Sequence, residues 1–159
     1  MPTLTSQTCS CSCGKSTFAI TGHPFARFLC HCTICQSVYR APFADVTVLW
    51  SKNVSLPDTH NVQFKKYRAP PALSRGTCAS CGLPVVGFLA VAPLVRLAFI
   101  PSRNYPESYA LPPPALHSFY HSCVADVGDY LPKYSGYWRS QFAVTKLILG
   151  AGFGVTRDA

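Results

Sequence analysis

Cys30-His31-Cys32-Thr33-Ile34-Cys35 sets three thiols inside six residues, and their spacing decides what kind of fold the chain can adopt. In an extended segment residues two apart face the same side, so Cys30-x-Cys32 can aim both sulfurs at one point. Cys32-x2-Cys35 instead has the tight-turn spacing that recurs in zinc ribbons and knuckles. Working outward, Cys11-Ser12-Cys13-Gly14 repeats the first spacing upstream and Cys78-Ala79-Ser80-Cys81-Gly82 repeats the second downstream. Gly82 gives the downstream turn a residue free of Cβ constraints. One such pair is a weak signal. Several in one chain are a strong signal for zinc, against the alternative of buried apolar thiols.

The rest of the composition fixes the setting. A chain of 159 residues is the usual size of one domain and buries a real core, so its cysteines are not needed to replace one. At 48% hydrophobic and only 13% charged, the sequence is far from the signature of disorder. Met1 to Gln7 is polar and joins no basic region to an apolar one, and Leu83 to Leu94 is broken by Pro84, Gly87 and Pro93. The expectation is therefore a cytoplasmic or nuclear protein with no membrane segment. Thiols stay reduced there, and an odd count of 9 cannot pair completely within one chain, which favours metal over disulfides.

A closed structural zinc takes four protein ligands, whereas a catalytic one keeps three and leaves a position open. The seven clustered cysteines fit four plus three, but spacing alone leaves open which C-x-C joins Cys78 and Cys81. The order C-x-C-G, then C-H-C-x2-C-Q, then Arg75 three residues ahead of C-x2-C-G resembles the glutathione-dependent formaldehyde-activating enzyme family, whose domain is shared with centromere protein V. The resemblance implies a mainly β, zinc-stabilised β-tent fold. It assigns Cys11, Cys13, Cys78 and Cys81 to a structural zinc, and Cys30, Cys32 and Cys35 to a second, catalytic zinc with three thiolates. Cys9 and Cys123 are left over, Cys9 read as an exposed or partly buried free thiol rather than as a competitor of Cys11 for metal. His117 and His121, ahead of Cys123, are read as a satisfied histidine cluster rather than as a fourth ligand.

The local pattern is compatible with β architecture. Thr17 to Ile20 and Phe25 to Cys30 read as strands around a Gly22-His23-Pro24 turn, and Phe43 to Trp50, Val62 to Tyr67, Val85 to Val91 and Val95 to Phe99 read as further strands. Within a single zinc-binding domain of residues 1–159, residues 101–116, with Pro112-Pro113-Pro114, read as a stiff Pro-rich connector, and residues 137–159 as a C-terminal extension. The extension has room for one short helix from Ser140 to Leu149, with Ser140 at the N-cap, Val144, Leu147 and Ile148 on one face, and Gly150 just past the end.

Three thiolates make zinc a poorer Lewis acid but a good holder of a fourth, soft ligand. A thiol bound there loses its proton. The resemblance supplies the substrates: zinc-dependent carbon-sulfur lyase chemistry of the S-(hydroxymethyl)glutathione synthase type, with two zincs per chain and glutathione as co-substrate. The alternatives are the same scaffold acting on another small thiol or carbonyl compound, and a non-catalytic binding module. His31, between two ligands, reads as a supporting or surface residue rather than an acid-base group. The family's closing pattern is a histidine, a tryptophan and an Asp-Gly-Leu-Pro-like turn. Here His117 and Asp129-Tyr130-Leu131-Pro132 match, but no tryptophan stands between them and Tyr130 replaces the glycine, so substrate specificity is where this chain can depart from the family. The formal charge of +8 falls to about +5 once four thiolates on one Zn²⁺ and three on another are counted, and the basic residues are scattered. Nucleic acid is thus not an expected partner; a small thiol or carbonyl substrate is. Most basic residues read as a solvated surface, and Arg40 and Arg75 are the first to test for contact with an anionic ligand such as glutathione.

Overall fold

A computed structural model describes residues 5–57, 59–68 and 72–153. The first four residues of the expected domain and the last six of the expected C-terminal extension lie outside them. The described chain is mainly β, with ten strands in two sheets and two α-helices. In chain order these are β1 Ser6–Ser10, β2 Thr17–Thr21, β3 Ala26–Cys30, α1 Thr33–Tyr39, β4 Ala44–Trp50, β5 Val54–Ser55, β6 Val62–Lys66, β7 Ser74–Cys78, β8 Pro84–Ala92, β9 Val95–Pro101, β10 His117–Ser118 and α2 Tyr137–Gly152. No helix among the described residues is long and apolar enough to cross a membrane. The chain falls into two compact units, Met1–Pro24 with Val48–Leu111 and Phe25–Thr47 with Pro112–Ala159.

The first unit contains a three-stranded antiparallel sheet in the order β1-β2-β5 and a run of antiparallel neighbours, β9-β8-β7-β6. Alternation explains the burial on β2, where Phe18 and Ile20 turn inward between less buried neighbours. They join Leu49, Val62, Val85, Val86, Ala98 and Ile100 in one core that also takes in Cys9, Cys11 and Cys78. Each large apolar side chain buried there contributes roughly 1.5–3 kcal/mol. Gly76 on β7 is required by close approach: a Cβ there would lie 2.7 Å from Val62 Cγ1 and 2.8 Å from the Val86 carbonyl oxygen. After β9, Asn104 is buried and donates from Nδ2 to the carbonyls of Pro84 and Val85, and Tyr109 stacks on Tyr105 while its hydroxyl donates to the Gly22 carbonyl.

In the second unit β10 lies parallel to β3, pairing His117 with Leu29 and Ser118 with Cys30. Arg27 on β3 makes a two-pronged ion pair with Asp45 on β4, at 2.8 and 2.7 Å, and donates to the Pro112 carbonyl. The chain after β10 returns alongside it: His117 N–H donates to the Pro132 carbonyl and Tyr134 N–H to the His117 carbonyl. Helix α2 packs Ser140 and Ile148 inward and leaves Trp138, Phe142 and Leu149 exposed.

The helix corrects the sequence reading at both ends. It begins at Tyr137 after Gly136, so Ser140 is not its N-cap, and it continues through Gly150 to Gly152. Ser140 lies inside the helix, fully buried, where its hydroxyl accepts from the Phe119 N–H at 2.7 Å and donates to the Tyr134 carbonyl at 3.2 Å. A hydroxyl that caps a helix elsewhere here satisfies a neighbouring segment.

Candidate functional site

The first cluster is made by two turns of the first unit. Past β1, Cys11 N–H donates to the Ser16 carbonyl and Gly14 N–H to the Cys11 carbonyl, with Gly14 at φ 77°, so the chain reverses with Cys11 and Cys13 on the turn. Past β7, Gly82 N–H donates to the Cys78 carbonyl, with Gly82 at φ 73°, and closes the second turn. Positive φ at these two positions suits only glycine without strain. The Sγ atoms of Cys11, Cys13, Cys78 and Cys81 lie within 4.8 Å of one another, Cys11 to Cys13 at 3.4 Å and Cys13 to Cys78 at 3.7 Å. A tetrahedral zinc with Zn–S bonds of about 2.3 Å needs sulfurs about 3.8 Å apart, so this donor set fits the ion. Burial raises the Cys78 thiol, but hydrogen bonds from Ser16 and the N–H groups of Cys81 and Ser80 outweigh it and bring it to about 6. The Lys15 N–H lowers the Cys13 thiol, yet its neighbours Cys11, Cys81 and Cys78, together with burial, push it up to about 11. The Cys11 thiol is lowered as well: burial raises it, but hydrogen bonds from the Ser16 N–H and Cys13 outweigh that.

The second cluster comes from one stretch. Cys30 ends β3, Cys32 precedes α1 and Cys35 lies in its first turn; the Sγ atoms of all three lie within 4.8 Å of one another, and all three residues are buried. The x2 spacing is realised as a helix start: the Cys35 N–H donates to Cys32 Sγ at 3.3 Å, so Cys32 occupies the place of a capping side chain. Gln36 fastens this turn, donating from Nε2 to the carbonyls of His31 and Ser122, each at 2.7 Å. Contact with Cys32 is the main influence pushing the Cys30 thiol up to about 11. Three buried sulfurs at this separation fit a three-thiolate zinc position.

The remaining candidates fall outside both clusters. Cys9 is neither exposed nor partly buried, as the sequence suggested, but 1% exposed in the first core, because β1 turns it inward, and that burial pushes its thiol up to about 11. Cys123 is half-buried, and His121 Nδ1 accepts the Gly136 N–H at 2.8 Å. Arg75 lies on β7 opposite Lys65 and Gly87, while Arg40 ends α1 in the left-handed region at φ 49°.

For His31 the sequence left a supporting and a surface role open, and the structure removes the surface one. It is no surface residue but 1% exposed, and its Nε2 lies 2.8 Å from Nδ1 of His117, itself 0% exposed. His117 Nε2 in turn lies 2.8 Å from Asp129 Oδ2, and Lys133 Nζ donates to Asp129 Oδ1 at 2.8 Å. Phe43 and Tyr120 wall the imidazoles, with centroids 5.0 and 5.1 Å from His31. In the sequence His117 stood out as a satisfied histidine and, with Asp129, as part of a motif. Their link to His31 spans 86 residues and leaves no spacing signal, and nothing marked Lys133.

No curated protein matches the chain at significance. Residues 6–120, most of the chain and all seven clustered cysteines, match the family described as glutathione-dependent formaldehyde-activating enzyme, and the chain belongs to that family.

Proposed function

We propose that the protein is a zinc-dependent carbon-sulfur lyase that joins a small thiol to formaldehyde, or cleaves the adduct, in the manner of an S-(hydroxymethyl)glutathione synthase. The observation that carries this reading is the buried three-sulfur cluster of Cys30, Cys32 and Cys35, one donor short of a closed tetrahedral set, in a chain that also holds a complete four-sulfur cluster. Cys11, Cys13, Cys78 and Cys81 would hold a structural zinc; Cys30, Cys32 and Cys35 would hold the catalytic one. Zinc bound by three thiolates supplies a soft position at which a thiol binds as its thiolate. In the addition, the thiol sulfur forms a bond to the formaldehyde carbon, the C=O π pair moves to oxygen, and the thiol proton ends on that oxygen, giving RSCH2OH. The chain's own residues form the turn: Gln36 holds the backbone between Cys30 and Cys32, and the capping contact fixes Cys32 against Cys35.

The second reading keeps this chemistry but replaces glutathione with another small thiol, or formaldehyde with another carbonyl compound. It is favoured by the absence of tryptophan between His117 and Asp129, and by Tyr130, fully exposed where the family pattern has glycine.

Native mass spectrometry of the purified protein with and without glutathione tests both. The expected result is two zincs per chain, with glutathione adding to or displacing one. A single zinc indifferent to glutathione would remove the lyase reading. Two zincs with another thiol bound in preference would favour the second.

A further inference from the structure

Among the described residues, His31 Nδ1 is a buried polar atom without a hydrogen-bond partner. Slack does not explain it. The His31 N–H donates to the Ser118 carbonyl, its carbonyl accepts from Gln36, Nε2 is engaged by His117, and Phe43 and Tyr120 pack against its ring. A buried polar atom held this firmly and left unpaired is costly. It belongs to the residue between Cys30 and Cys32, which are both in the three-sulfur cluster.

The proton order along the line follows from its outer end. Lys133 foremost, and then His117, hold the Asp129 carboxyl down at about 2, so it is an acceptor only. Its Oδ2 at 2.8 Å therefore requires the hydrogen on His117 Nε2, and a His117 ring that carries that one hydrogen presents Nδ1 as a lone pair. Paired with that lone pair at 2.8 Å, His31 carries its hydrogen on Nε2 and leaves Nδ1 bare.

We propose that Asp129 and Lys133, acting through His117, fix the tautomer of His31 so that its Nδ1 is a preset acceptor for the hydroxyl of a bound ligand, the hydroxymethyl group of an S-hydroxymethyl thiol. The ligand's identity rests on the proposed thiol and formaldehyde chemistry; the tautomer order does not. Asp129, Lys133 and His117 are positioning residues, and His31 is the group that meets the ligand.

Lys133 makes the idea sharp, because Nζ also donates to the carbonyls of Asp129, at 3.1 Å, and Leu131, at 3.4 Å, and so stays in place when residue 129 changes. In Asp129→Asn it selects the amide oxygen and turns the NH2 toward His117. Every hydrogen in the line then reverses, and His31 Nδ1 becomes a donor. The Leu131 N–H, which donates to the same oxygen at 3.2 Å, holds the amide the same way round.

The test is 15N NMR of imidazole-labelled, metal-loaded protein. The expected result is His31 protonated on Nε2 and His117 on Nε2 in the wild type, and both reversed in Asp129→Asn. A wild-type His31 protonated on Nδ1 overturns the proposal, as does an Asp129→Asn spectrum with unchanged tautomers. The ligand arm adds glutathione with formaldehyde, or S-methylglutathione, which lacks the hydroxyl. The hydroxymethyl adduct should bind roughly tenfold tighter and move the Nδ1 resonance, with the preference lost in Asp129→Asn. Equal affinities with an unmoved Nδ1 overturn the acceptor role while leaving thiol binding intact. Failure of both compounds to bind overturns the thiol reading and this ligand with it, while the ligand-free spectra still decide the tautomer order.

Discussion

Asp129 makes a pH-dependent contribution at the level of one residue. Its carboxyl is held at about 2 by hydrogen bonds from Lys133 and His117, helped by the Leu131 N–H. A carboxyl whose folded value lies below its ordinary value near 3.8 adds stability that is fully present above that ordinary value and is lost as pH falls through the folded one. Acid unfolding should therefore steepen between about pH 4 and 2, and Asp129→Asn should flatten the curve in that window while leaving its shape near neutrality unchanged; circular dichroism against pH measures this. At the same scale, the seven clustered cysteines were legible in the sequence because covalent spacing alone constrains which sulfurs can converge. The pairing of Cys11 and Cys13 with Cys78 and Cys81 was not, since either C-x-C offered the same geometry and only the family likeness separated them. The His31 to Lys133 line was illegible for a different reason: it is assembled by parallel pairing of β10 with β3, a tertiary fact that leaves no periodicity behind.

Among the elements, the strands read correctly from sequence were those with long apolar or alternating stretches, β2, β3, β4, β6, β8 and β9. Those not read were β1, β5, β7 and β10. Two of these have only two residues, and Ser6–Ser10 and Ser74–Cys78 are mostly small or polar, so neither shows a hydrophobic period. Helix α1 has seven residues, too few to display one. The glycine that interrupts β7 as a sequence signal is what its packing demands. Gly76→Ala should destabilise the protein by roughly 1–3 kcal/mol, because the methyl meets the Val86 carbonyl oxygen as well as two side chains that could shift; urea unfolding checks it. Ser140→Ala belongs to the same scale. It leaves the buried Phe119 N–H without its acceptor and should cost roughly 1–3 kcal/mol, whereas Phe142→Ala on the exposed face of the same helix should fall within about 0.5 kcal/mol of wild type. Equal losses for the two would show that the hydroxyl is not the tie it is taken to be.

At the scale of the molecule, the two sulfur clusters differ in what they close. Cys11 and Cys13 meet Cys78 across a contact that spans 65 residues, within the first unit, whereas Cys30, Cys32 and Cys35 are neighbours on one turn of the second. Metal bound in the first cluster would tie distant segments together, so that its binding energy would be in large part folding energy; metal in the second would order only a local turn already held by Gln36 and a capping contact. Cys78→Ala should therefore lower both zinc content and thermal stability, while Cys35→Ala should remove one zinc and leave the unfolding temperature nearly unchanged. Hydrogen exchange under graded chelation localises the effect. Loss of metal from the first cluster should strip protection from β1, β2 and β7, and loss from the second should affect only α1 and its flanks. The reverse pattern, with Cys35→Ala unfolding the chain and Cys78→Ala harmless, would exchange the structural and catalytic assignments, because a position that folding depends on cannot also be the one left open for a substrate to enter and leave.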